Sequence, residues 1–488
     1  MELISRFVRE QQRYTSEQLR EIFVLQQDEF SSFVRQLSNK GILKRVHKTK
    51  EEYDLTELIE DDLINDIDYV DSSKILYVFN YVGIIAIGCR IIKVYPKYIL
   101  SKKEPVLQMK QVIKVLEKYS KSNNQFVGQF KEDGENTSIN SLSVILFILR
   151  DYYEYGLYDS YYEVLEMNGE GDIVWNRTID DCFVIIKDNR PYYTELVTRK
   201  SVEDEENFFK RLHAWVITDC SRQLSESGLA VLYDMESLNL SEESLDDIGS
   251  REYILYRVQC EFNMQFNTRK LLLLKTIYNY IEQRLNLMDK EQGIVLYGTT
   301  SFYHVWETVC ANVFNDQRKC KLFQLRLSCP IAAAFDPNST LENIIEHPSW
   351  VGKDFSLLAS DTLETDTLVV TKYDQEDFFV ILDAKYYVLK MEKGKKLRNN
   401  PGVGDVTKQY LYQLAFQEFI EAHKIKYVRN CFLMPTEESS IVEKGYVEMK
   451  MLSKLKLENI QIRMLPATTI FACYLVNRNI EIKELNLI

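Results

Sequence analysis

The chain has 488 residues, 45% of them hydrophobic and 27% charged, with a formal net charge of −13. That length predicts two to four domains, each large enough to bury a core, in a folded soluble protein. The acidic balance argues against a protein whose whole surface binds polyanions, so any contact with nucleic acid must be local. The nearest candidate for a membrane span, Tyr77–Ile92, is broken by Asn80, Gly83, Gly88, Cys89 and Arg90. With no basic segment ahead of an apolar core at Met1-Glu2-Leu3 either, the expectation is a cytosolic protein that does not enter a membrane. The nine cysteines include no C-x-x-C pair, and the five histidines do not gather near them. Structural zinc and a disulfide framework are therefore not expected, and most cysteines should be small buried residues.

In chain order, residues 1–50 read as three helices and a wing. Met1–Arg13 is an amphipathic opening helix, and Thr15-Ser16-Glu17-Gln18 is a capping box before a helix ending near Leu25. Asp28 can cap a third helix to about Ser38, and Ile42–Val46 reads as a strand. This order is that of a winged helix, with Ser31, Ser32, Arg35, Gln36 and Asn39 on the candidate recognition helix and Lys44 and Arg45 on the strand behind it. Ten Lys and Arg stand against six Asp and Glu in this stretch, so it is locally basic. A DNA-binding module and a small protein-binding module both fit. Glu51–Asp68 then carries nine acids and no Lys or Arg, which predicts a solvated linker closing a first module over 1–70.

Ile75–Asn80, Ile84–Cys89 and Ile91–Val94 read as strands, while Gln108–Ser120, Leu142–Tyr155, Phe208–Cys220 and Leu271–Leu287 read as helices. Together they predict an intermediate α/β and helical region over 71–290. Tyr152, Tyr153, Tyr155, Tyr158, Tyr161 and Tyr162 form an aromatic cluster that suits packing better than base stacking. Glu242–Asp247 is an acidic loop.

The last region, 291–488, carries the chemistry. Thr300–Phe314 is apolar or aromatic all round a helical wheel apart from Glu307 and His304, which predicts a buried helix. A buried Glu is either paired with a core cation or functional. Thr367–Val370 and Phe378–Leu382 are apolar runs around the polar tetrad Asp374-Gln375-Glu376-Asp377, which predicts a β-hairpin. An antiparallel hairpin returns Asp366, at the start of one run, to the same sheet edge as Asp383, at the end of the other. Strand alternation projects Asp383 and Lys385 to one face. Two carboxylates and an ammonium at a strand end fit a divalent-cation site for phosphodiester hydrolysis, and they also fit a surface hairpin with ordinary end charges. Leu389–Lys408 is a Lys-, Gly- and Asn-rich loop, and Lys393, Lys395, Lys396 and Arg398 on it suit a DNA backbone. Asp405 can cap the next helix, whose Gln409, Tyr412, Gln413 and Phe416 share one face, so Gln409 can point back at the acids. Lys426–Met434 and Gln461–Leu465 are further strands, and Ala467–Asn477 is a last helix.

Asp366, followed by Asp383-Ala384-Lys385 behind a helical Glu307, resembles the PD-(D/E)XK nuclease core. Leu382-Asp383-Ala384-Lys385-Tyr386-Tyr387 with Gln409-Tyr410-Leu411-Tyr412-Gln413 is similar to the LlaJI family of restriction endonucleases, relatives of the nuclease subunit of McrBC-type systems. The upstream block Asn168–Ile179 followed by Arg211-Leu212-His213 is similar as well. The resemblance covers roughly the second two thirds of the chain. Thr365 stands where that pattern usually has proline, and Asp361 and Glu364 lie close enough to compete for the first carboxylate position.

The resemblance implies a mixed α/β multidomain protein: a winged-helix-like module, an intermediate McrC-like region and a C-terminal nuclease core. It implies Mg²⁺ or Mn²⁺ held by Asp366, Asp383 and Glu307, with Lys385 orienting water and Gln409 in support. Double-stranded DNA would be the substrate. A separate McrB-like AAA+ GTPase and a cognate DNA methyltransferase would be partners, and a homo-oligomer is compatible with the pattern. The chain has no G-x-x-x-x-G-K-[ST], no G-x-S-x-G, no H-E-x-x-H and no Rossmann fingerprint, so it carries no P-loop motor of its own. Two other readings stand beside this one: an inactive nuclease-fold adaptor that binds DNA, and a transcriptional regulator led by the winged helix.

Overall fold

The computed structural model describes residues 4–47, 75–122, 141–159, 161–203, 208–282 and 294–487. The acidic run Glu51–Asp68 lies outside the described residues. The chain forms two compact units, one built from Met1–Asp133 with Leu296–Ile488, the other from Gly134–Val295. α-Helices and β-sheets are mixed throughout, as the sequence predicts. No helix among the described residues is long and apolar enough to cross a membrane, and all nine cysteines are free.

In the first unit the N-terminal segment departs from its predicted form. Residues 4–9 form a strand, Ile4–Arg9, pairing in parallel with Arg90–Tyr95, and not the amphipathic helix expected over Met1–Arg13. The partner lies more than eighty residues away, so local periodicity carries no trace of the pairing that decides the conformation. Val82–Ile87 follows in this sheet, and Ile294–Thr299 completes it. Gly83, at φ 144°, and Gly298 permit the last pairing. A Cβ on Gly83 would meet the Tyr297 carbonyl at 2.2 Å, and one on Gly298 would meet the Val82 carbonyl at 2.2 Å.

Arg13–Tyr14, Ile75–Phe79 and Leu43–His47 make a second, antiparallel sheet, with Ile75–Phe79 in the centre. The helices Ser16–Phe23 and Gln27–Asn39 accompany it. The first begins at the predicted capping box: the Thr15 hydroxyl accepts from the Gln18 N–H at 3.2 Å, and the Gln18 side chain accepts from the Thr15 N–H at 2.9 Å. This module therefore has two helices and three strands where three helices and a wing are expected. Arg35, Gln36 and Asn39 are exposed on the second helix.

The sheet that carries the acids has five strands in the order Thr367–Tyr373, Glu376–Ala384, Tyr427–Thr436, Ile460–Pro466 and Val442–Val447. Asp374 and Gln375 alone make the hairpin turn, with φ of 46° and 68°, because two positive-φ residues give the twist a two-residue hairpin needs. Glu376 and Asp377 belong to the second strand, and the Asp377 carboxylate accepts from the Ser328 N–H and hydroxyl, each at 2.8 Å. Glu376–Ala384 is buried along nearly its whole length, so it shows no polar alternation. On one face Leu368, Val370, Phe379 and Ile381 pack against Tyr412, Phe416, Phe419 and Ile420. The outer edge is closed by side chains: the Asp316 carboxylate accepts from the Leu368 N–H at 3.0 Å and the Gln317 amide oxygen from the Val370 N–H at 2.9 Å.

The second unit combines the helices Ser141–Tyr155, Phe208–Glu226, Arg251–Met264 and Thr268–Glu282 with a small sheet of Tyr161–Met167, Val197–Glu203 and Asp172–Ile173. The residues of the upstream block do structural work here. A Cβ on Gly171, at φ 145°, would meet the Arg199 carbonyl at 2.3 Å, so glycine lets the short strand approach its neighbour. Arg211 pairs with Glu243, the Nε lying 3.1 Å from both carboxylate oxygens. Of the tyrosine cluster, Tyr158 is buried and packs on Phe209 with ring centroids 5.7 Å apart, while Tyr153 and Tyr155 are exposed.

His213 is fully buried, and its Nδ1 accepts from the Tyr158 N–H at 2.9 Å. Burial lowers its pKa to about 4, with Asp151 opposing and Arg269 adding to the shift. A depressed histidine binds its proton more readily in the unfolded chain, so stability is present above pH 6.5 and is lost as pH falls towards 4. Acid unfolding of this unit, followed by circular dichroism, is expected to show a loss on the order of 3 kcal/mol between pH 8 and pH 4 from this group alone. A His213→Asn variant, whose amide oxygen can still accept, should flatten that part of the profile.

Candidate active site

The register of the hairpin places the two acids together. Thr367 pairs with Leu382, so one step further Asp366 stands opposite Asp383, and opposed residues of an antiparallel pair project to the same side. The Asp366 Oδ2 accepts from the Ala384 N–H at 2.9 Å. Asp383 is only 4% exposed, and it stands across the hairpin from Asp366. Burial, and then the neighbouring Asp366, hold the Asp383 carboxyl well above the usual carboxylate range.

Lys385 continues the same face. Its Nζ lies 3.0 Å from Asp383 Oδ2 and 3.2 Å from Asp405 Oδ1, and its N–H donates to the Leu433 carbonyl at 2.9 Å. Burial works against its charge, but Asp383 and Asp405 outweigh it and raise the pKa above the usual lysine value. Lys385 is therefore a fixed ammonium at neutral pH, able to donate hydrogen bonds but not to act as a base.

Asp405 is the member that the sequence reading assigns only to capping. It occupies the third position of the helix Val403–Ala415, where its Oδ2 accepts from the Gly402 N–H at 3.2 Å and its other oxygen reaches Lys385. Its carboxylate spacing from the D-x-K motif gave no sign of this, because only the crossover between two parallel strands brings it there.

Glu307 comes from the helix Phe302–Val313. It is not fully buried, and its Oε2 lies 2.9 Å from His304 Nδ1. Burial and then Asp366 raise its pKa, while His304 and Lys385 pull it down. The helix is fixed by Trp306, fully buried, whose indole N–H donates to the same Leu433 carbonyl at 3.2 Å. Gln409 is fully buried as well, but its amide donates to Asn430 Oδ1 at 2.5 Å, and its own Oε1 has no protein partner. Thr365, in the position of the expected proline, is buried, and its carbonyl accepts from the Arg318 guanidinium, which is itself held by Asp316 at 2.8 Å. Hydrogen bonds here fix the approach to Asp366 that a proline ring would fix by its own stiffness.

The basic loop is a closed turn. The Lys390 N–H donates to the Arg398 carbonyl at 3.0 Å and the Arg398 N–H to the Lys390 carbonyl at 3.2 Å. Lys390, Glu392, Lys395, Lys396 and Arg398 line a cavity of about 560 Å³. Lys393, Lys395 and Lys396 are exposed and Arg398 is half-buried. The loop ends sooner than expected, since the Gly402–Asp405 cap starts the helix at Val403. Arg35, Gln36, Lys44 and Arg45 belong to the three-stranded module, on a different sheet from the acids.

A divalent cation fits this donor set. Two carboxyls forced together at a buried strand end repel unless a proton or a cation lies between them. Among the described residues no three His, Cys, Asp or Glu side chains are drawn together as a ready-made cage. Mg²⁺ needs none, since it keeps several waters and is held by one or two carboxylates.

The LlaJI restriction endonuclease family matches residues 81–468. The chain belongs to that family. All the residues brought together here lie inside the matched span, and the module of residues 4–47 lies ahead of it. The chain is also similar to the Type II restriction enzyme BsuMI component YdjA of Bacillus subtilis (strain 168), 26% identical over 429 residues, covering 86% of this chain and 84% of the relative. Among solved structures it is similar to a half-complex of Thermococcus gammatolerans McrB AAA+ hexamers with bound McrC, at 13% identity and a TM-score of 0.38, covering 97% of this chain and 99% of that one. A second similar structure is the McrBC complex of the same organism, at 12% identity and a TM-score of 0.23, covering 57% and 79%.

Proposed function

We propose that the protein is the Mg²⁺- or Mn²⁺-dependent endonuclease subunit of a restriction system, hydrolysing phosphodiester bonds of foreign double-stranded DNA. The observation that carries this reading is the meeting of Asp366 and Asp383 at the sheet end, with Lys385 held between Asp383 and Asp405. Asp366 and Asp383 would hold the metal and Glu307 would complete or support the site. Such an ion, when bound, would supply Lewis acidity and lower the pKa of a water beside it. Lys385, fixed as an ammonium, would orient the attacking water and donate to the phosphate oxygens as their charge grows, while the water's proton passes to solvent and the bond to the leaving ester oxygen breaks. Gln409 supports the strand behind the site through Asn430. Lys393, Lys395, Lys396 and Arg398 neutralise backbone phosphates beside it. The small module of two helices and three strands would act as the DNA reader through Arg35, Gln36, Lys44 and Arg45. Family membership supports a separate McrB-like AAA+ GTPase and a cognate methyltransferase as partners, since the chain has no motor motif.

Plasmid cleavage with Mg²⁺, against the same reaction in EDTA, tests the reading. Wild type is expected to cut only with the metal, and Lys385→Ala to lose cutting by at least about a hundredfold, the scale of one removed charge-stabilising donor. Full-rate cleavage by Lys385→Ala would sink the assignment. DNA binding without any nicking would favour the adaptor reading.

A further inference from the structure

Tyr386, next to Lys385, is 6% exposed, and its hydroxyl donates to Glu10 Oε2 at 2.6 Å. Glu10 is 5% exposed, and the same oxygen accepts from the Lys97 N–H at 3.0 Å. Lys97 Nζ lies 4.7 Å from the centre of the Tyr386 ring. That ring also meets the Glu307 helix through Phe302, with centroids 5.3 Å apart. One tyrosine thus touches the N-terminal segment, follows Lys385 in sequence, and packs on the helix that carries Glu307.

The place of Glu10 in the chain gives this contact its meaning. The strand Ile4–Arg9 ends just before it, and the Glu10 N–H donates to the Tyr95 carbonyl at 2.9 Å. The next residue, Gln11, donates its N–H to the Phe79 carbonyl at 2.9 Å, in the sheet of the small two-helix module. Glu10 therefore sits where the chain passes from one sheet to the other. A carboxylate so buried costs free energy that an apolar side chain would not, so packing alone does not account for it.

We propose that Glu10 and Tyr386 are positioning residues that couple the N-terminal module to Lys385, so that the state of that module sets how well the ammonium is aimed. This deepens the nuclease reading and rests on it. Tilting of the module pulls on Glu10, loosens the hydroxyl contact, and frees the strand exit at Lys385. A displacement of about 1 Å at a reacting group can cost a hundredfold in rate, so a single hydrogen bond at this point is enough to gate cleavage.

The test uses the full chain with plasmid DNA and Mg²⁺, and reads three quantities: single-turnover cleavage rate, DNA dissociation constant, and hydrogen exchange of the Lys385 amide. Tyr386→Phe, which removes one oxygen and keeps the ring, is expected to slow cleavage between about tenfold and a hundredfold while leaving DNA affinity within about twofold. Its Lys385 amide should exchange faster. Glu10→Leu should behave like Tyr386→Phe, whereas Glu10→Gln, whose amide oxygen still accepts, should recover most of the rate. Wild-type rates in both Tyr386→Phe and Glu10→Leu would overturn the proposal, as would an equal loss of rate and affinity. If the wild type cuts no DNA but Tyr386→Phe still speeds exchange at Lys385 and Glu10→Gln restores it, the nuclease reading falls and the coupling stands. Unchanged exchange removes the coupling whatever the activity.

Discussion

Asp383→Asn is expected to end DNA cleavage, with a loss on the order of a thousandfold or more, while leaving the metal-free protein at least as stable as the wild type. The catalytic loss follows from removing the carboxylate nearest both Asp366 and Lys385, at a site whose effect depends on fixed charge aimed at the phosphate. The stability follows from the sign of the Asp383 shift. Its pKa is raised in the fold by burial and by Asp366, so its ionised form opposes folding at every pH above the ordinary carboxylate range. A neutral amide removes that penalty and still accepts from the Lys385 ammonium, 3.0 Å away in the wild type. Cleavage rates and thermal melts of the two proteins, both in EDTA for the melts, check this. A variant that cuts at the wild-type rate, or that melts well below it, contradicts the assigned role of Asp383.

Trp306→Ala is expected to have the largest effect on stability, about 3–5 kcal/mol, because it opens a large void in a fully buried position. The indole also packs against Phe471, with ring centroids 5.9 Å apart, so the void would fall between two helices. Its N–H shares the Leu433 carbonyl with the backbone of Lys385, and its loss leaves that acceptor under-satisfied beside the site. Urea unfolding of the variant should show the drop. Cleavage should fall further than the folded fraction alone accounts for, since Glu307 rides on the same helix. Trp306→Phe, which fills part of the void, should lose less on both measures.

Much of the site is legible in the sequence because its parts are local. The hairpin is written in two apolar runs around Asp374 and Gln375, and its antiparallel return brings Asp366 to Asp383 whatever surrounds it. Alternation along the strand puts Lys385 on the side of Asp383 for the same reason. The capping box at Thr15 and Gln18, and the all-round apolar helix bearing Glu307, are local patterns too. The glycine at 171 is visible as a residue, but its purpose, the close approach to Arg199, is not.

Other features come only from contacts between distant segments. Ile4–Arg9 has a helical period and is a strand because Arg90–Tyr95 offers it a parallel partner, and pairing outweighs propensity over so short a run. Asp405 reaches Lys385 because a helical crossover returns across the strand end, a geometry with no signature in residue spacing. Gln409 donates to Asn430, because a buried amide takes the nearest polar partner. Glu10 meets Tyr386 across 376 residues of chain. The sequence by itself determined the hairpin and, through it, that Asp366, Asp383 and Lys385 meet at one strand end. The tertiary structure alone decided what holds them in place, because the charges and hydrogen bonds that fix a buried lysine come from whichever segments the fold packs beside it.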